Sequence, residues 1–271
     1  MEKQMRKFLL VLMIFAAAVS VSAQTNFDKG LKNYENKEYS KAIDYFRKHL
    51  KKKPKDMVCL NYLGLAYIFT QRPDSAVHFL SKAIAIDSSL SDTYNNRGFA
   101  YSFLGEMDSS LNDLNKAIEL DSNSSRAYLN RGSLYAAWKT YAKAIEDYTK
   151  AIELEPGIPE AYYQRGIMLY KVQKFQESFS DLSKAYEMGV ANEELLQFKG
   201  NAEYRLQRYA EAIKDYTEAL KINPNNIEAL NNRGMSYSSM GDSIQANKDW
   251  ESLKKLNKLF NSLVPLDTIS Y

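Results

Sequence analysis

The chain has 271 residues, with 36 Lys and Arg against 33 Asp and Glu, a formal charge of +3, 20 tyrosines and one cysteine. The charge falls to +1 without the first 23 residues, which carry Lys3, Arg6 and Lys7 against Glu2. Basic and acidic residues interleave along the rest, so no basic face is set aside for nucleic acid. With Cys59 as the only cysteine, no intramolecular disulfide can form and stability must come from packing.

Residues 1–23 read as an export signal: three basic residues, an apolar run over 8–19, then Val21-Ser22-Ala23 as a small-residue cleavage site, with cleavage expected after Ala23. The apolar run is short against the roughly 20 residues of a spanning helix, so no integral membrane span is expected after cleavage. No cysteine follows the run, which argues against a lipid-anchored form. The expected location is a Gram-negative periplasm, otherwise secretion.

From there a strict period takes over. Gly30, Gly64, Gly98, Gly132, Gly166, Gly200 and Gly234 stand 34 residues apart. A fixed period of this size marks a repeat array, in which each unit is one supersecondary element that buries its apolar face only against its neighbours. With glycine at position eight, seven units fall at 23–56, 57–90, 91–124, 125–158, 159–192, 193–226 and 227–260, leaving 261–271 as a tail. Within a unit, apolar residues recur at three- and four-residue steps in two blocks, as in Tyr128, Gly132, Tyr135 and then Ala144, Tyr148, Ala151. That spacing predicts two antiparallel helices. Segments such as Leu104-Gly105-Glu106 and Met240-Gly241-Asp242 supply the turns, while Pro54, Pro156 and Pro224 close units. The small residue at position eight predicts close helix contact, filled from the second helix by a large residue at position 24: Phe46, Tyr148, Tyr216 or Trp250.

The units differ at their ends and joints. The first has a weak opening helix, expected over 26–36, and reads as a cap. Gly189-Val190-Ala191-Asn192 replaces the usual proline between units five and six, with Gly189 suited to a positive φ. Leu253, Leu256, Leu259, Phe260 and Leu263 extend the last helix, and its Lys254, Lys255 and Lys258 give a polar outer face.

This pattern resembles the tetratricopeptide repeat: an aromatic at positions four, 11 and 24, glycine or alanine at eight, alanine at 20 and 27, and proline at 32. The fourth unit matches nearly throughout with Tyr128, Gly132, Tyr135, Ala144, Tyr148, Ala151 and Pro156. The resemblance implies an all-α fold, a right-handed α-solenoid of helix-turn-helix units whose first helices line a concave groove. It also implies that positions two, five, nine, 12 and 13 of each first helix face that groove. The residues so selected include Phe69, Asn95, Phe99, Phe103, Arg126, Leu129, Tyr163, Tyr170, Asn201, Tyr204 and Asn231. Leu31, Leu65 and Ile167 fall on the same face, with packing against the next unit as the competing role. Phe99, Phe103, Tyr163 and Tyr170 are the expected exposed contacts. The basic residues that hold a chaperone C-terminus in one branch of the family are missing, since Glu160 and Gln164 stand in their places.

The resources for catalysis are thin. His49, His78 and Cys59 form no ligand or triad spacing, and no phosphate loop or nucleophile elbow is present. His49 falls at a packing position, and His78 on an outer, solvated face. Arg97, Arg131 and Arg233 of the recurring Asn-Arg-Gly are expected to bridge to acidic residues on an adjacent helix. The expectation is therefore a non-enzymatic adaptor of the cell envelope, without cofactor or metal, holding a protein or extended peptide in its groove. The alternative is an envelope glycan or polymer, suggested by the tyrosines and asparagines of units five to seven.

Overall fold

A computed structural model of the chain describes residues 25–263, with side chains to 256. The export signal at 1–23, the residues from 264 onward and the side chains of Leu259, Phe260 and Leu263 lie outside the described residues. Among the described residues there are fourteen helices and no strand. They are α1 (Asn26–Glu35), α2 (Tyr39–Lys52), α3 (Met57–Phe69), α4 (Pro73–Ile86), α5 (Ser91–Phe103), α6 (Met107–Leu120) and α7 (Ser125–Ala137). Then follow α8 (Tyr141–Leu154), α9 (Pro159–Lys171), α10 (Phe175–Glu187), α11 (Glu193–Arg205), α12 (Tyr209–Ile222), α13 (Ile227–Ser239) and α14 (Ser243–Leu263). The chain divides between Ser122 and Asn123 into two compact units, the first built from α1–α6 and the second from α7–α14. No described helix is long and apolar enough to cross a membrane.

Each odd-numbered helix packs against the even-numbered one that follows. The reason lies in the periodic glycines. A Cβ on Gly64 would lie 2.5 Å from Leu80 Cγ, and one on Gly132 would lie 2.8 Å from Tyr148 Cε1. Gly30, Gly98, Gly166, Gly200 and Gly234 meet Phe46, Leu114, Leu182, Tyr216 and Trp250 in the same way. Only a residue without a side chain lets the first helix lie directly on the large residue of the second. Within each unit the first helices of neighbouring pairs approach one another while the second helices stand farther apart, so each stack curves with the first helices inside.

The turn inside each pair needs one residue in left-handed conformation. Gly105 (φ 73°) and Gly241 (φ 81°), within the expected turn segments, supply it, while Lys37, Gln71, Lys139, Gln173 and Gln207 occupy the same place with φ between 58° and 63°. Gly189, after α10, has φ 97°.

Arginines clasp the pairs. Arg97, Arg131, Arg165 and Arg233 each donate through Nε and Nη2 to both oxygens of Asp113, Asp147, Asp181 and Asp249, at 2.6–2.9 Å. Three of them also donate Nη1 to a hydroxyl on the preceding second helix: Arg97 to Ser81, Arg165 to Thr149 and Arg233 to Thr217, at 3.0–3.1 Å. These hydrogen bonds to the carboxylates hold the guanidinium groups above their ordinary pKa. The expected bridges from Asn-Arg-Gly are present, and Arg165, in Gln-Arg-Gly, makes the same one.

His49 and Cys59 are structural. His49, largely buried, sits 2.8 Å from Asp56 Oδ2, and Asp56 caps α3 through the amide of Cys59. Burial, then the nearby Asp56, pushes the Cys59 thiol up to about 12.

Candidate functional site

On the first-helix side of the first unit, α3 and α5 lie next to each other. Phe69 and Phe103 occupy corresponding positions at their C-terminal ends and are 50% and 61% exposed. Around Phe69, Tyr39 stacks at 4.7 Å between ring centroids and Tyr34 approaches edge-on at 6.1 Å. Phe99 is half-buried and meets Phe103 edge-on at 4.9 Å. Val58, at the other end of α3, is 57% exposed. The positional reading of the groove missed Tyr39, which lies on a second helix; its only signal was its place directly after the turn from Tyr34. Asn95 is buried instead, its Nδ2 donating to Asn96 Oδ1, while Asn96 donates to Asn61 across the α3–α5 contact. Asn95 backs that inter-helix contact from behind Asn96 and, at 3% exposure, has little surface to offer a partner.

The first-helix side of the second unit is mixed, with Ile227 and Met235 exposed among polar residues. Arg126 is exposed, and Leu129 is half-buried against the core. Tyr163, expected as an exposed contact, is buried at 5% exposure, and its hydroxyl donates to Glu194 Oε2 at 2.6 Å. Burial, followed by the Glu194 hydrogen bond, raises its pKa. Asn201 is likewise buried, accepting from Tyr216 Oη at 2.7 Å and from Asn232 Nδ2 at 2.8 Å. Ile167 is buried in the core, in line with the packing alternative. Tyr170 is half-buried, 5.5 Å from the rings of both Phe175 and Phe198, and Tyr204 packs on Tyr209 at 5.4 Å. Asn231 is exposed.

A cleft of about 660 Å³ opens here, lined by Lys171, Asn192, Glu193, Glu194, Gln197, Phe198 and Glu228. Its carboxylates are held by neutral donors: Glu194 by Tyr163, Glu228 by Gln197, Glu193 by Asn223 and Asn226. Lys171 lies over the Phe198 ring at 5.2 Å and Arg205 over Phe175 at 4.4 Å. Phe198 falls at position six of its unit, outside the positions the repeat pattern assigns to the groove. Among the described residues no three His, Cys, Asp or Glu side chains are grouped to hold a metal ion.

A TPR repeat family model matches residues 200–241, a tetratricopeptide repeat model matches 125–157, and a further one matches 60–90 and 91–124. The chain carries tetratricopeptide repeats, and folds of this kind are typically non-enzymatic interaction scaffolds. Among solved structures it is similar to YrrB, a TPR protein with an unusual peptide-binding site (22% identity, 65% of this chain and 91% of that one, TM-score 0.62). It is also similar to PilF of Pseudomonas aeruginosa (20%, 74% and 91%, 0.65). A third is a tetratricopeptide repeat protein of Parabacteroides merdae (18%, 85% and 91%, 0.57). These identities bear on the fold alone, an all-α stack consistent with an α-solenoid. No curated protein matches the chain.

Proposed function

We propose that the protein is a non-enzymatic scaffold of seven tandem repeats that holds a protein or extended peptide on the first-helix face of its first unit. Tetratricopeptide repeats mediate protein–protein interactions. The observation that carries the reading is the exposure of Phe69 and Phe103 at equivalent places on adjacent helices, with Tyr34, Tyr39 and Phe99 around them. Rings left open on adjacent helices supply contact area at low entropy cost. The peptide-binding site of YrrB supports the choice of a polypeptide ligand. A glycan draws less support, because Tyr163 is buried and Tyr170 and Tyr204 are half-buried against other rings.

The basic residues, apolar run and Val21-Ser22-Ala23 of the N-terminus support export, with the Gram-negative periplasm as the location and Gln24 as the first mature residue. N-terminal sequencing of protein from the periplasmic fraction tests this; an intact Met1 in the cytoplasmic fraction refutes it. For the binding reading, chain 24–271 is compared with its Phe69→Ser/Phe103→Ser variant in crosslinking and mass spectrometry, after circular dichroism shows equal helix content. The expected result is a polypeptide recovered by the wild type and lost by the variant. Equal recovery by both refutes the aromatic face as the site.

A further inference from the structure

The first two repeats lack the clasp, with Lys29 and Leu63 at the arginine position, and from the third repeat onward it is altered at one place. In α11 the arginine is replaced by Lys199, and the position four residues later, which holds Tyr67, Tyr101, Tyr135, Leu169 and Tyr237 in other first helices, holds Glu203. Lys199 Nζ reaches Asp215 Oδ2 at 2.6 Å and Glu203 Oε1 at 3.8 Å. A single ammonium group does not reproduce the arginine fork. Ser183, which stands 16 residues before Lys199 as Ser81, Thr149 and Thr217 stand before their arginines, has a buried hydroxyl with no partner. Glu203 is 3% exposed, and its Oε2 is buried with no donor.

We infer that Glu203 is an uncharged carboxylic acid that donates to Asp215, and that its proton makes the packing of α11 on α12 pH-sensitive. Two carboxylates against one ammonium would leave a net negative charge with Glu203 shut away from water, which is costlier than taking up a proton. The proton also resolves the orphan oxygen, because a protonated Glu203 becomes a donor and Asp215 is the neighbouring acceptor. Burial, and after it the charge of Asp215, push the Glu203 acid up to about 8.

The charged and titratable groups around it are Lys199 on its own helix, Asp215, Glu211 and Tyr216 on α12, and Arg208 between the two. Arg208 is engaged elsewhere, over the Phe179 ring and on Gln176 Oε1. From α10, Phe179 lies beneath Lys199 and contributes no charge. In the next pair, Arg233 is taken up by Asp249 and Thr217.

The sign follows from linkage. The folded chain holds the Glu203 proton more tightly than the unfolded one, so the stabilisation is complete below the ordinary glutamate value and is lost as pH rises through about 8. Above that, Glu203 ionises beside Asp215 and the contact between α11 and α12 loosens.

The test compares chain 24–271 with Glu203→Gln, whose amide can donate to Asp215 but cannot titrate. From pH 5 to pH 8.5 the melting temperature of the wild type should fall steadily relative to that of E203Q. In parallel, the 13C carboxyl resonance of Glu203 in the wild type should titrate at least about two units above the usual glutamate value of about 4.3. A difference in melting temperature that does not change with pH, or a Glu203 midpoint in the ordinary range, overturns the inference. The resonance is read on the wild type alone and decides the question if E203Q does not fold.

Discussion

Replacing Gly132 with leucine sets the helix contact at the centre of the repeat against a side chain that does not fit. The Cβ alone would lie 2.8 and 2.9 Å from Tyr148 Cε1 and Cδ1 and 3.3 Å from Asp147 Cβ. Carbon atoms rest at about 3.5–4.0 Å. Tyr148 is fully buried, and its hydroxyl is tied to Ser133 Oγ at 3.2 Å, so the ring has little room to retreat. Asp147 is held by both of its hydrogen bonds to Arg131. Overpacking of this kind costs about 1–3 kcal/mol, and glycine-to-alanine in a helix returns about 1 kcal/mol of propensity. Gly132→Ala therefore nets about 0–2 kcal/mol of destabilisation by the same balance. Gly132→Leu drives three more carbons into the same space with no further helix gain, for about 2 kcal/mol or more. In a chain of this size that lowers the melting temperature by about 4–8 °C. Gly157→Ala is the control, since its Cβ would meet nothing within 4 Å; it should leave the melt unchanged or raise it slightly. Thermal melts followed by circular dichroism read all three. A Gly132→Leu variant melting with the wild type, or a Gly157→Ala variant falling as far, would refute the assignment of the glycines to helix contact.

The left-handed turns offer a gain in stability. Lys139→Gly relieves about 1–2 kcal/mol of backbone cost and gives back about 0.5–1 kcal/mol in unfolded-chain entropy, for a net gain of about 0.5 kcal/mol in urea unfolding. A lowered unfolding midpoint would contradict the turn geometry. Cys59, buried and with its thiol raised to about 12, should react with an aromatic disulfide at pH 8 at least about a hundredfold more slowly in the native chain than in urea. Equal rates would show the thiol to be accessible.

The repeat and its helix pairs were legible because their causes are local. A glycine every 34 residues and a large residue 16 positions later describe both sides of the same contact, as Gly132 and Tyr148 do. The Arg–Asp clasp has that spacing too, and Arg165 escaped notice only because glutamine precedes it in place of asparagine. The candidate site was legible in position but not in exposure. Whether Asn95, Tyr163 or Asn201 faces a partner depends on residues about one repeat away: Asn61 beyond Asn96, Glu194 for Tyr163, Asn232 for Asn201. A pattern of positions assigns a face, while the inter-repeat hydrogen bond that closes it depends on two side chains matching across two helices. The turns divided similarly: glycine announced the left-handed residue at Gly105 and Gly241, whereas lysine and glutamine in the same place carry no such mark.

The claim that the first unit binds a polypeptide through its aromatic face is tested most directly by site-specific photo-crosslinking in the cell. A benzophenone amino acid replaces Phe103 on the first-helix side in one strain and Tyr186, an exposed aromatic of the second helix α10, in another. A discrete polypeptide adduct from position 103, absent from position 186, is the predicted result. An adduct from position 186 with none from position 103 would contradict the account and move the site to the second-helix face.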